Sequence, residues 1–193
     1  MKKLKFISSQ SSLVILMLFS LITISCESKG QSNEDAVEAP KVSIHEAAFF
    51  GNVNAIKAHI AHKSDLNVKD AYGSSPLSIA ALFGKPDVAK LLINGVADLN
   101  VRSADGSTPL HTAAFFGRTE IVKMLLERGA DTSIKNNYGN TALESVSTDF
   151  EDVKGFYDQM SRDLGPMGLK LDYDQLKKAR PEIAQLISDA DNS

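Results

Sequence analysis

SADGSTPLHTAAFFGRTEIVKMLLERGADTSI, residues 103–134, decides the fold of this chain. The stretch that begins 33 residues earlier, DAYGSSPLSIAALFGKPDVAKLLINGVADLNV at 70–101, repeats its glycines, its proline, its alanine pair and its aspartate. Gly73, Gly106 and Gly139 share the same offset. A fixed period of this length indicates one supersecondary unit that stacks on copies of itself.

Local signals within the unit predict a pair of helices after a turn. Asp105-Gly106 is a turn dipeptide, because glycine is available where φ must be positive. Pro109 suits the first turn of a helix, and Gly117 suits its end. Apolar residues then recur at helical spacing and predict a second helix with one apolar face: Ile121, Val122, Leu125 and Leu126. Such a pair must stack on neighbours to bury that face.

The motif TPLHTAA at 108–114 is similar to the central motif of the ankyrin repeat. The resemblance covers roughly residues 43–147. It implies an all-α fold, an ankyrin-repeat solenoid of stacked helical hairpins with β-turn tips and about four repeats. We place the ankyrin-repeat domain at 42–190, with repeats at about 42–68, 69–101, 102–134 and 135–190.

The ends of the second helices differ between repeats. Gly129 ends the helix of repeat three, whereas Lys63 stands in the equivalent place of the first, degenerate repeat. In repeat two Gly95 comes one residue before the expected site, and Val96 occupies it. A β-branched residue resists positive φ. We therefore expect the second helix of repeat two to end one residue early.

The last repeat contains an insertion. RPEIAQLI at 180–187 resembles KPDVAKLL at 85–92, but Pro181 lies 95 residues beyond Pro86 where the period predicts 66. The difference is 29 residues, and we place the helical insertion at 149–178.

The insertion predicts one helix and a second, shorter one after Asp172. Thr148 and Glu151 form a capping-box pattern, and Gly165-Pro166 stops the first helix. Its apolar face comprises Phe150, Val153, Phe156, Tyr157, Met160 and Leu164. We expect these helices to cap the exposed end of the stack.

The N-terminus carries an export signal, which we place at residues 1–25. Its lysines precede an apolar run at 13–24, which is shorter than the roughly 20 residues of a spanning helix. Cys26 follows at once, and the arrangement resembles a bacterial lipoprotein signal, which implies lipidation of that cysteine. The alternative is an ordinary cleaved signal with an incidental cysteine. The polar residues that follow predict a disordered tether at 26–41.

Composition excludes several classes of function. The net charge is −3 and no basic patch is evident, which argues against a nucleic-acid partner. The single cysteine excludes an intramolecular disulfide. The sequence contains no phosphate-binding glycine loop and no nucleophile motif, so we expect no catalysis, no cofactor and no small-molecule substrate.

Histidines and aspartates offer weak metal hypotheses. His45 and His111 occupy the same repeat position two repeats apart, too far to share a metal, and the resemblance implies that each bonds to turn backbone. His59 and His62 lie one turn apart, but two ligands make a poor site, and a solvated face is the simpler interpretation. Aspartates that recur once per repeat do not make a calcium loop: Asp65, Asp98 and Asp131.

The resemblance implies a concave groove lined by turn tips and by the ends of the first helices. We therefore predict a partner-binding surface made of Phe49, Phe50, Tyr72, Leu82, Phe83, Asp105, Phe115, Phe116 and Tyr138. Aromatic residues dominate interface energetics, and exposed apolar patches often mark binding sites. The alternative is that one residue of each pair packs between neighbouring helices.

The sequence predicts a non-catalytic scaffold that binds a partner protein. We expect a monomer, anchored by lipid in the inner or outer membrane of a bacterial envelope and facing the periplasm. One alternative is an enzyme or ligand-binding protein whose site lies in the insertion, around Tyr157, Asp158, Arg162 and Asp163. Another is a structural protein that associates with itself through the same groove.

Overall fold

The computed structural model describes residues 40–192, which belong to a single folded unit. The predicted signal peptide at 1–25, the lipidation of Cys26 and the tether up to residue 39 lie outside the described residues.

The described part of the chain is helical, and it contains no β-strand and no helix long and apolar enough to span a membrane. A 3₁₀ turn at Gly165–Met167 accompanies its helices. The helices are α1 (Ile44–Phe50), α2 (Val53–Ala61), α3 (Pro76–Leu82), α4 (Pro86–Asn94), α5 (Pro109–Phe115), α6 (Thr119–Glu127), α7 (Ala142–Ser147), α8 (Phe150–Leu164) and α9 (Tyr173–Asp191).

The helices stack as hairpins in two layers. The first helix of each hairpin packs on the first helix of the next, so that α1, α3, α5 and α7 form one layer. The second helices α2, α4 and α6 form the other layer, and α9 continues it. The predicted alanine pairs allow the close approach between layers, since all are buried: Ala47, Ala48, Ala80, Ala81, Ala113 and Ala114.

Each helix of the first layer begins with a side-chain cap. The hydroxyl groups of Ser43, Ser75, Thr108 and Thr141 each accept the amide of the residue three positions on. Such a cap contributes about 1 kcal/mol. These residues occupy the same place in every repeat, so the first layer starts in register.

Backbone hydrogen bonds join the turn tips of neighbouring repeats. The Ala104 amide donates to the Tyr72 carbonyl at 3.1 Å, and the Asn137 amide donates to the Asp105 carbonyl at 2.9 Å. A Cβ atom on Gly106 would lie 2.9 Å from the Asn137 amide nitrogen. Glycine is therefore required there by close approach as well as by its positive φ of 78°.

The expectation that Val96 shortens the second helix of repeat two is wrong. The α4 helix ends at Asn94, which is equivalent to the last residue of α6, Glu127. Val96 adopts a φ of 66° in spite of its branched side chain. The following amide, that of Ala97, donates to Leu92 at 3.0 Å and so keeps the bond that closes this helix end. Stacking on both neighbouring repeats holds the chain to this path.

The 29-residue insertion is confirmed by the packing of the last repeat. Ile183 and Ile187 are fully buried in the main core, where Ile121 and Leu125 lie one repeat earlier. The expected separate helices are nevertheless one, because α9 runs unbroken through Pro181. Its first half continues as helix because Leu176 and Ala179 are buried there.

The capping box predicted for the insertion helix is also wrong. Asp149 is the N-cap of α8, and its carboxylate accepts the Glu151 amide at 2.8 Å. The Thr148 hydroxyl instead donates to the Glu144 carbonyl at 3.3 Å, at the end of the preceding helix. Aspartate is at least as good an N-cap as threonine, so the stronger cap lies one residue later.

Candidate partner-binding groove

A groove of about 640 Å³ lies between the turn tips of repeats two to four, the ends of α3 and α5, and the insertion helix α8. Pockets of this size hold drug-sized ligands or a few side chains of a partner. Because α8 supplies one wall, the insertion is part of the groove as well as part of the C-terminal end of the stack.

Six of the nine predicted partner-binding residues line this groove. They are Tyr72, Leu82, Asp105, Phe115, Phe116 and Tyr138. The other three do not line it: the ring of Phe49 packs 4.5 Å from that of Phe83, and Phe50 is 68% exposed outside the groove. The predicted surface is therefore split, with the first aromatic pair separate from the rest.

The insertion helix covers the third aromatic pair. Phe116 is only 7% exposed, and Phe115 lies with its ring centroid 4.7 Å from that of the fully buried Tyr157. Phe156, the preceding residue of α8, packs 5.3 Å from Phe115 on its other side. The expectation that one residue of each pair is exposed therefore fails at this pair, because α8 lies over it.

A buried hydrogen-bond network holds α8 in place. The Tyr157 hydroxyl donates to the Phe115 carbonyl at 2.5 Å and accepts from Arg180 at 2.8 Å. The Arg180 guanidinium, 4% exposed, also donates to the carbonyl groups of Thr148 and Ser145. Burial raises the pKa of Tyr157, and the adjacent cation opposes that shift. The phenol is therefore neutral at physiological pH and can donate to the carbonyl.

The alanine pairs, capped helices and linked turn tips match a known repeat family. A family model for ankyrin repeats, in three copies, matches residues 44–136. These residues are ankyrin repeats. Repeats of this family generally mediate protein–protein interaction. A search of curated protein sequences finds no match to the chain.

The rival hypothesis of a reactive site in the insertion finds no support in the geometry beside the ankyrin repeats. The Tyr157 hydroxyl is committed to the network described above, and the Asp158 carboxylate accepts the Tyr173 hydroxyl at 2.7 Å. Arg162 and Asp163 both bond to Gln159 on the surface of α8, at 2.7 and 2.8 Å. Each of the four proposed residues thus interacts with a different set of neighbours.

Two histidines of the ankyrin repeats bond to turn backbone, as the family resemblance implies. The Nε2 atom of His45 lies 2.8 Å from the Val68 carbonyl oxygen. The same atom of His111 lies 3.0 Å from the Asn140 carbonyl oxygen, while its Nδ1 accepts the Thr108 amide at 3.3 Å. Burial lowers the pKa of His111, so this ring is neutral at pH 7.

The solvated-face interpretation of His59 is wrong. Its ring is buried, and its nitrogen atoms contact the Ser64 hydroxyl at 3.0 Å and the Val42 carbonyl at 2.9 Å. His62 is exposed and bonds to the Ala58 carbonyl at 2.9 Å. Between residues 40 and 192, no group of three or more histidine, cysteine or acidic side chains could hold a metal ion.

The charged side chains that line the ankyrin groove are both carboxylates. Asp105 lies at a turn tip, and Asp152 lies in the first turn of α8. Burial alone would raise the pKa of Asp105, but hydrogen bonds from Ser103 and Ser107 hold it below its ordinary value. Asp105 is therefore ionised at neutral pH.

The sequence predictions missed the contribution of the insertion to the groove. Four residues of α8 line it: Asp152, Val153, Phe156 and Met160. Three of them belong to the apolar face that the helical spacing identified. That face was expected to pack on the end of the stack, and periodicity alone does not tell which surface an amphipathic helix covers.

Proposed function

We propose that this protein is a non-catalytic ankyrin scaffold, anchored by lipid in a bacterial envelope and facing the periplasm, whose groove binds a partner protein. The observation that carries the proposal is the groove of about 640 Å³, open beside two exposed tyrosines. Tyr72 and Tyr138 are 78% and 75% exposed at its turn tips. Large exposed aromatic side chains beside an apolar groove favour partner binding.

The groove can be tested against a matched surface of the same protein. Tyr138 and Phe50 are both exposed aromatic residues, but only Tyr138 lines the groove. Cross-linking in cells followed by affinity capture should recover a partner with the parent chain and with Phe50→Ser. Tyr138→Ser should reduce recovery about tenfold or more. Equal recovery with both variants would contradict binding at the groove.

The anchor is supported by the position of Cys26 after the apolar run of the signal. Several acyl chains at one residue would hold the protein at a membrane stably, whereas one chain is marginal. Cys26→Ser should abolish labelling by a fatty-acid analogue and move the protein out of the membrane fraction, while Ser28→Ala should change neither. Labelling that persists in Cys26→Ser would contradict the anchor and leave the groove untouched.

Self-association through the same groove is the competing function. Light scattering separates the two, because self-association raises the mass without any partner. We expect the mass of a monomer across a concentration series. A mass that rises with concentration in the parent but not in Tyr138→Ser would replace the scaffold with a structural protein.

A further inference from the structure

We propose that the groove takes a short cationic segment of its partner, in which an arginine or lysine is flanked by apolar residues. The inference rests on the proposed function, since it names the chemistry of the partner at that groove. Three features of the lining support it: its charge, its aromatic turn tips and its apolar floor.

The charge of the groove is negative and uncompensated. Asp105 and Asp152 approach it from opposite sides, one from a turn tip and one from α8. Neither carboxylate forms a salt bridge with any residue between 40 and 192. No lysine or arginine lines the groove. A cation from outside would therefore meet two carboxylates without displacing an internal partner.

The turn tips add aromatic faces on both sides of one carboxylate. Tyr72, Asp105 and Tyr138 occupy the same position in three consecutive repeats, and the backbone bonds between tips hold them in that order. Aromatic faces attract a cation, and a guanidinium can stack on a ring while it pairs with a carboxylate. An aromatic, acidic, aromatic row therefore favours arginine over an uncharged side chain.

The floor of the groove is apolar. Leu82 and Phe115 line it from the repeats, and Val153 and Met160 line it from α8. Phe156 remains 52% exposed beside them although it packs on Phe115. A volume of about 640 Å³ holds a few side chains, so the occupant is a segment of a partner and not a broad globular face.

The chain's own tether is a poor occupant of this groove. Residues 27–39 read ESKGQSNEDAVEA, which carries four carboxylates and one lysine. Like charges repel, and the segment lacks large apolar side chains for the floor. The charge of the groove thus favours a partner over this part of the chain.

The test selects peptides on the full-length chain from a random displayed library. The best peptides are then synthesised and titrated by fluorescence anisotropy against the parent, Asp152→Asn and Asp174→Asn. Asp152 and Asp174 are both exposed carboxylates in the first turn of a helix, and Asp174 lies outside the groove. We expect peptides enriched in arginine or lysine between apolar residues. Their affinity should fall about tenfold in Asp152→Asn, stay within twofold in Asp174→Asn, and weaken as salt is raised.

Each other outcome overturns a defined part of the inference. Uncharged or acidic peptides that lose affinity in Tyr138→Ser but not in Asp152→Asn would refute the cationic occupant and leave the groove as a binding site. Peptides insensitive to Tyr138→Ser, or no enrichment at all, would refute the groove as well. Tighter binding of a synthetic 27–39 peptide than of the cationic peptides would assign the groove to the tether.

Discussion

The first and third repeats place the same residue in opposite surroundings. Phe50 and Phe116 are equivalent positions two periods apart, yet one is 68% and the other 7% exposed. The difference comes from α8, which lies over the third repeat, where its Tyr157 is fully buried. In a repeat protein the period therefore gives each side chain its place within its own unit, while neighbouring segments decide its exposure.

Removing the ring that makes this difference should have the largest effect. Tyr157→Ala deletes a fully buried aromatic side chain that bonds both to Phe115 and to Arg180. We expect a loss of about 3–5 kcal/mol in the free energy of unfolding. Urea denaturation followed by circular dichroism measures it.

Phe156→Ala is the matched control on the same helix. Its ring is half exposed, so the loss should stay below about 1.5 kcal/mol. If Tyr157→Ala were no more destabilising than this control, α8 would be a loosely attached appendage. The first and third repeats would then differ little in solution.

The two phenylalanines can also be compared directly. Phe116→Ser removes a buried ring that packs on Phe115 and Tyr157, and we expect a loss of about 3 kcal/mol or more. Phe50→Ser changes an exposed ring and should cost less than about 0.5 kcal/mol. Thermal and urea denaturation give both values. Equal losses would mean that the period alone sets the environment of this position.

Much of the fold could be predicted because each repeat states its own local rules. The alanine pairs, the hydroxyl caps and the turn glycines recur at one spacing, and the structure places each as expected. The size of the insertion followed from the match of Pro181 to Pro86, and the burial of Ile183 bears it out.

The covering of the third aromatic pair could not be predicted, because it depends on long-range contacts. The pattern of α8 shows an apolar face but not the surface that this face meets. Tyr157 reaches Arg180 across 23 residues and Phe115 across 42. Neither pairing leaves a periodic signal, so the groove wall formed by α8 was missed.

A second contrast between repeats runs the other way, with different residues on the same backbone. Val96 and Gly129 are equivalent, and both have positive φ, at 66° and 78°. A left-handed conformation costs a residue with a side chain about 1–2 kcal/mol. Val96 is 86% exposed, so Val96→Gly loses little packing. We expect a gain of about 1 kcal/mol by urea denaturation, after part of the relieved strain is offset by the flexibility of glycine when unfolded.

Gly129→Val is the reverse exchange and tests the same cause. A Cβ atom there would meet nothing within 4 Å, so the change brings backbone strain without a clash. We expect a loss of about 1–2 kcal/mol. A stabilising Gly129→Val, or a destabilising Val96→Gly, would show that repeat two adapts to its valine in a way that repeat three does not share.

The smallest expected effect separates repeats two and three by pH. His111 is buried in repeat three, where Ser78 stands in repeat two, and burial lowers the pKa of the histidine below its ordinary value of 6.5. The unfolded chain therefore takes up a proton near pH 6.5 that the folded chain refuses, so stability falls as the pH is lowered through that value. The fall ends below the folded pKa and cannot exceed about 1.4 kcal/mol per pH unit for one proton. Urea denaturation at pH 7.5 and 5.5 should show a smaller difference in His111→Ser, which copies repeat two, than in the parent. An equal difference in both would mean that the ring is protonated in the folded state as readily as in the unfolded one.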